Sequence, residues 1–113
     1  MQRKMDLLPQ VPFSILMALS LRPRHGYEIM KQVEEDSLGK VKVGPGALYT
    51  AIKQLVAEQL IVEIDSDNKD RRRYYKLTKK GWDRLHAELE YYDNVVKIAK
   101  HRAAYEGFGW QRV

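Results

Sequence analysis

The stretch GPGALYTAIKQLVAEQLIVEIDSDNKDRRRYYKLTKK, running from Gly44 to Lys80, changes its apolar period once, and that change decides the fold. Up to Leu60 the apolar residues Leu48, Ile52, Leu55 and Val56 recur at helical spacing, and Pro45 sits where a first helical turn tolerates proline. From Ile61 the period falls to two. Val62 and Ile64 alternate with Glu63 and Asp65, and Tyr75 and Leu77 share one face of a second short segment, so both segments read as strands. Tyr74 and Tyr75 alternate, one packing inward and one lying on the sheet surface. Ser66 to Arg72 between the strands is rich in turn-forming residues, which makes the pair a hairpin with a basic tip.

On the N-terminal side, Val11, Ile15, Leu16 and Leu19 predict a first helix over about 10–21, with Pro12 in its first turn. Pro23 to Gly26 interrupts it. Tyr27, Ile29, Met30 and Val33 predict a second helix that ends at Ser37-Leu38-Gly39, and its acidic Glu34-Glu35-Asp36 run is a solvated face at the wrong end for the helix dipole. On the C-terminal side, Thr78 is an N-cap and no proline follows it before about Ala104. Trp82, Leu85, Leu89, Tyr92, Val96, Ala99 and Ala103 keep alternate spacings of three and four, the seam of a coiled coil. Tyr91, Val95 and Ile98 widen it. A helix of about 26 residues is roughly 39 Å long, more than so small a domain covers, so its uncovered apolar length calls for a partner.

The order helix, helix, helix, hairpin, long helix is mainly α with a small β-hairpin (α+β): a winged helix-turn-helix followed by a long C-terminal dimerisation helix. The expected division is 1–77 for the DNA-binding domain, 78–105 for the dimerisation helix and 106–113 for a flexible or partner-packed tail. With 113 residues there is no room for two independent cores. The 44% hydrophobic and 31% charged composition is that of a soluble globular chain. Its net charge of +5 is concentrated in residues 66–80, which carry seven basic and two acidic side chains. The excess charge is therefore one patch.

In a winged helix the third helix enters the major groove and shows side chains to base edges. Here its first turn offers backbone N–H groups and the positive end of the dipole to a phosphate, and Gly46 permits close approach. Tyr49, Thr50 and Lys53 come next on the outer face, with the Tyr49 ring half-packed and its hydroxyl turned to a phosphate. The wing residues Asn68, Lys69, Arg71, Arg72 and Arg73 supply cations for phosphates or a minor groove. The rival reading is a winged helix that binds an acidic protein partner or a ligand without reading DNA. The outer face of helix three discriminates, and from Tyr49 to Gln54 it is polar and carries no acid.

Enzyme chemistry finds no footing. The chain has no cysteine, which excludes thiolate catalysis, Fe–S clusters and Cys-type zinc sites. It has no nucleophile elbow, and Gly44-Pro45-Gly46 lacks the strand before it and the Lys-Ser/Thr after it that a nucleotide-binding loop needs. A nuclease would need clustered carboxylates, and the acids here are dispersed. His25 and Glu28 are two ligands without a third and suit capping and packing at a helix start; His86 and His101 stand too far apart for one site. No metal and no cofactor are expected. The apolar run Val11 to Leu21 is shorter than the roughly 20 residues a bilayer requires, and no cleavage signal follows it, so a cytoplasmic location without membrane attachment is expected.

Three ordered motifs carry a resemblance: His25-Gly26-Tyr27-Glu28-Ile29, then Gly46-Ala47-Leu48-Tyr49 with Leu55 six residues on, then Arg73-Tyr74-Tyr75-Lys76-Leu77-Thr78 with Gly81. Over residues 5 to about 103 the chain resembles PadR-type transcriptional regulators, in the compact branch with a single C-terminal helix. The resemblance implies a homodimeric repressor in the cytoplasm, released from double-stranded DNA by a small molecule or another signal. It also implies that aromatic residues on the long helix, Tyr92 with Tyr91 or Trp82, line a gap between subunits that takes a flat aromatic or apolar effector. One departure is Thr50, which stands where proline is common after the helix-three tyrosine and bears on the preferred DNA sequence.

Overall fold

A computed structural model of the chain describes residues 6–65 and 71–104. Its elements are α1 (Gln10–Leu19), β1 (Arg24–His25), α2 (Gly26–Asp36), α3 (Pro45–Ala57), β2 (Ile61–Ile64), β3 (Tyr74–Leu77) and α4 (Lys79–Ala103). The three helices, the wing and the long helix of the sequence reading are all present. Helix α1 stops two residues early, where the Ser20 hydroxyl donates to the Met17 carbonyl at 2.6 Å. Helix α2 ends as expected, with Leu38 and Gly39 both at positive φ.

One correction concerns the sheet. It has three strands in the order β1-β3-β2, all antiparallel, and not the two of a simple hairpin. Arg24 pairs with Tyr75 and His25 with Tyr74, so the turn between α1 and α2 is stitched to the wing. Two residues are too few for any alternation to betray a strand. Arg24, though buried, donates from Nε to the Ala18 carbonyl at 3.0 Å and so satisfies the last turn of α1.

The core fills the space between the three helices and the inner face of the sheet, with Ile15, Leu16, Ile29, Leu48 and Leu55 fully enclosed. Two residues expected inside are outside. Val56 is exposed and Ala51 takes its place in the α3 stripe. Likewise Ile61, not Val62, points inward from β2, because Ile61 pairs with the buried Leu77 and Val62 pairs with the exposed Lys76. Tyr75 packs inward, and Tyr74 lies on the opposite face against the His25 ring, 5.2 Å between centroids.

Helix α4 starts on the Thr78 cap, whose Oγ1 accepts from the Gly81 amide at 2.9 Å. Its first turns belong to the core. Leu85 is only 2% exposed, so it packs within the protomer and is not part of an outward seam as expected. Glu88, 1% exposed, accepts the Leu8 amide at 3.0 Å and Arg84 Nε at 2.9 Å, and Arg84 also donates to the Asp6 carbonyl at 2.7 Å. A buried carboxylate thus ties the start of the chain to α4, a contact that no local pattern announces. Beyond it Leu89, Tyr92, Val95, Val96 and Ile98 are exposed. Among the described residues no helix is long and apolar enough to cross a membrane.

Candidate nucleic-acid interface

Gly44 caps α3 with extended backbone, φ −77° and ψ 166°, and Pro45 occupies the first helical position. The Leu48 amide makes the first intrahelical bond, to the Gly44 carbonyl at 2.9 Å. The amides of Gly46 and Ala47 therefore precede the helical ladder and point out along the axis. A Cβ built on Gly44 or Gly46 would meet nothing within 4 Å, so neither glycine answers to packing within the chain. The first turn carries no acid, so no side chain of its own turn offsets the positive end of the α3 dipole.

Leu48, Ala51, Ile52 and Leu55 turn α3 against the core, which leaves Gly46, Tyr49, Thr50 and Lys53 exposed on the other face. Tyr49 is 51% exposed, with its ring lying against Gly26 at the start of α2. Beside this face stands the wing. Arg71, Arg72 and Arg73 are exposed, and Arg71 holds a positive φ of 62°, unusual for a residue with a side chain. Asn68 and Lys69, expected to read DNA with them, lie outside the described residues.

Two concavities join helix and wing. A notch of about 310 Å³ is lined by His25, Gly26, Tyr27, Tyr49, Arg72 and Arg73. A second, of about 340 Å³, is lined by Tyr49, Ile52, Lys53, Val56, Glu63, Arg73 and Tyr75. Tyr49 and Arg73 form the wall between them. The fold thus brings five of the expected residues together on one surface: Tyr49, Lys53, Arg72 and Arg73 in the concavities and Thr50 beside Tyr49 on α3. Arg72 Nη1 lies 2.8 Å from the buried His25 Nε2, and Arg73 Nε lies 3.9 Å from Glu63 Oε2 in an exposed pair.

Electrostatics reinforce the joint. Burial of the Tyr75 hydroxyl, and then the negative charge of Glu63, raise its pKa against the opposing pull of Arg73. Glu28, whose Oε1 accepts the His25 amide at 3.2 Å, is lowered. Its partial burial works against ionisation, and the hydrogen bonds from the His25 backbone and the Arg22 side chain, with the positive charge beside them, overcome it.

Sequence reasoning left out Tyr27 and the wing-facing role of His25. Tyr27 counted as part of an apolar stripe, yet it is exposed at the notch. His25 does cap α2, with Nδ1 3.4 Å from the Glu28 amide. Its second contact, across 47 residues to Arg72, depends on the two-residue strand that no pattern revealed.

Of the aromatic residues expected to share an effector site, Tyr91 and Tyr92 lie together and Trp82 lies apart from them within the protomer. Trp82 lines a groove of about 480 Å³ with Met17, Ser20, Leu85, His86, Leu89 and Glu90. Tyr91 and Tyr92 stack edge-on at 5.2 Å, and Tyr92 packs on Phe13 of α1 at 5.5 Å. Among the described residues no three histidine or carboxylate side chains converge as a metal site would require.

The sequence pattern of the "Transcriptional regulator PadR-like family" matches residues 15–87. A 37.1 kDa protein of unknown function from a transposon of Streptomyces fradiae is 38% identical over 74 residues; these are 66% of this chain but only 20% of that protein, so the chain spans about a fifth of the relative's length. Among solved structures, a PadR family transcription regulator from Clostridium difficile R20291 is similar with a TM-score of 0.71 at 27% identity, covering 82% of this chain and 97% of that one. RosR of H. salinarum gives 0.63 at 27% identity, covering 86% and 94%. Bacillus subtilis PadR, solved in complex with operator DNA, gives 0.64 at 23% identity, covering 74% and 48%, a likeness of fold alone.

Proposed function

This chain belongs to the PadR-like family of transcriptional regulators, and we propose that it binds an inverted-repeat operator in double-stranded DNA as a homodimer and represses transcription until a small-molecule or stress signal releases it. One observation carries the reading. The outer face of α3 is polar and free of acid from Tyr49 to Gln54, and it meets the arginines of the wing across the two concavities walled by Tyr49 and Arg73. In this reading Lys53 and Thr50 reach base edges or phosphates in the major groove, Tyr49 and the first turn of α3 at Gly46 take phosphate oxygens, and Arg71, Arg72 and Arg73 serve the flanking backbone, a role the sequence also assigns to Asn68 and Lys69. The operator DNA bound to the structurally similar B. subtilis PadR supports it.

Residues 1–77 supply the reading surface and 78–105 the subunit contact. The exposed apolar row Leu89, Tyr92 and Val96, continued by Ala99 and Ala103 and preceded by Trp82, is the face that a second copy covers. Two-fold symmetry then places the half-sites about 10 base pairs apart or a multiple of that. A flat aromatic or apolar effector fits against Trp82 or the Tyr91–Tyr92 pair where two subunits meet.

Fluorescence anisotropy with a labelled duplex from upstream of the protein's own gene, against a scrambled duplex at several salt concentrations, tests this. Preference for the upstream duplex at a Kd of about 10⁻⁸ M or tighter, with a steep salt slope, is the expected result. Absence of binding to either duplex at low salt would overturn it in favour of a protein-binding winged helix.

A further inference from the structure

His25 is 5% exposed, and its ring sits where three elements meet. It caps α2, it belongs to β1, and it stands edge-on against Tyr74 of β3. Two donors point at it: the Glu28 amide lies 3.4 Å from Nδ1, and the Arg72 guanidinium lies 2.8 Å from Nε2, with Glu28 Oε1 farther from that nitrogen at 3.6 Å.

A neutral imidazole carries one ring N–H and one lone pair, so it accepts one of these bonds and not both. Arginine donates only and keeps its charge, so the contact with Nε2 requires the lone pair there and the proton on Nδ1. The cap requires the opposite form. The Arg72 bond is the shorter and is charge-assisted, which makes it the stronger of the two. The other arm of the capping box, from the His25 amide to Glu28 Oε1 at 3.2 Å, is shorter than the 3.6 Å from that oxygen to Nε2 and is made by the backbone, so it survives either way.

We propose that His25 is the positioning residue of the wing: with its proton on Nδ1, its Nε2 holds the Arg72 guanidinium at the notch beside Tyr27 and Tyr49. This rests on the reading of Arg72 as a DNA contact. A guanidinium has five N–H donors in a planar fork, so one bond to the ring is compatible with others to a phosphate. Holding a long side chain in place before DNA arrives removes part of the ordering cost of binding, an effect of about 5–10-fold in affinity.

Two measurements on the full chain decide it. Long-range proton–nitrogen NMR of the ¹⁵N-labelled protein reads the ring form directly. The Nδ1–H form is expected, reverting to Nε2–H in Arg72→Ala, where only the cap remains to use the lone pair. An Nε2–H ring in the parent overturns the proposal. Second, His25→Asn keeps a capping oxygen but is too short to reach Arg72. It is expected to weaken binding to the labelled upstream duplex by about 5–10-fold. The double variant with Arg72→Ala should be no weaker than Arg72→Ala alone. Additive losses overturn the coupling. Parent-like binding by Arg72→Ala beside an Nδ1–H ring would instead show that the DNA reading of Arg72 has failed while the ring contact stands, and the proposal falls with that reading.

Discussion

The phenolic end of Tyr49 rests on Gly26. A Cβ at position 26 would collide with the Tyr49 hydroxyl and come within 2.8 Å of Cζ, so the bare backbone at the start of α2 leaves the room in which the α3 tyrosine lies. Tyr49 forms a wall of both concavities, and the lack of a side chain at Gly26 therefore shapes the proposed DNA surface. Gly26→Ala should displace the ring. The ring is half exposed and free to swing outward, so the stability cost is small, about 1 kcal/mol or less. Affinity for the upstream duplex should fall several-fold. Thermal melts read the first effect and anisotropy the second; unchanged affinity would mean that the Tyr49 position does not matter to binding.

Gly81 presents the opposite case. A Cβ there would collide with the Leu60 carbonyl oxygen and come within 3.0 Å of its carbon, and both are backbone atoms. That carbonyl accepts the Thr78 amide at 3.1 Å, and the Thr78 hydroxyl donates to the Gln59 carbonyl at 2.7 Å, so the corner has no slack. Gly81→Ala should cost about 2–3 kcal/mol through overpacking. Urea denaturation would show it as a shifted midpoint with an unchanged slope.

The contrast marks what was legible in the sequence. Gly26 and Gly81 both stood out in motifs, but a motif does not say that one meets a movable ring and the other a carbonyl. Helices α1 to α4 and strands β2 and β3 were readable because each repeats an apolar period over several residues. Strand β1 was not, since Arg24 and His25 form strand only by pairing with Tyr75 and Tyr74 about fifty residues on. The arginines of the wing were visible as charge, whereas the His25 ring that meets Arg72 was hidden with β1. In α4 the seven-residue spacing was legible throughout, but spacing cannot separate Leu85, covered by the chain's own core, from Leu89, which is not.

That separation is testable. Leu89 is 40% exposed, so Leu89→Asp places its charge in water as long as the protomer stands alone. The expected product is a folded monomer. Leu85→Asp puts an unpaired charge into the core and should unfold the chain. Sedimentation velocity with circular dichroism distinguishes the cases; a stable dimer from Leu89→Asp would place the subunit contact elsewhere.

Acid sensitivity should follow from Glu28. Its pKa is lowered from the ordinary 4.5: partial burial pushes it up, but the hydrogen bonds from the His25 amide and from Arg22, with the positive charge beside them, outweigh that. The folded state therefore binds this proton less readily than the unfolded chain does. Its contribution is fully present above about pH 4.5 and is lost as pH falls through the lower folded value. Glu28→Gln keeps an oxygen that accepts the His25 amide but removes the charge, so it should lower stability at neutral pH and converge on the parent as both are acidified. Urea midpoints measured from pH 7 to pH 3 would show two curves closing below about pH 4.5. Parallel curves through that range would mean that the Glu28 charge adds nothing to the α2 cap, and that the hydrogen bond from the His25 amide needs only a neutral acceptor.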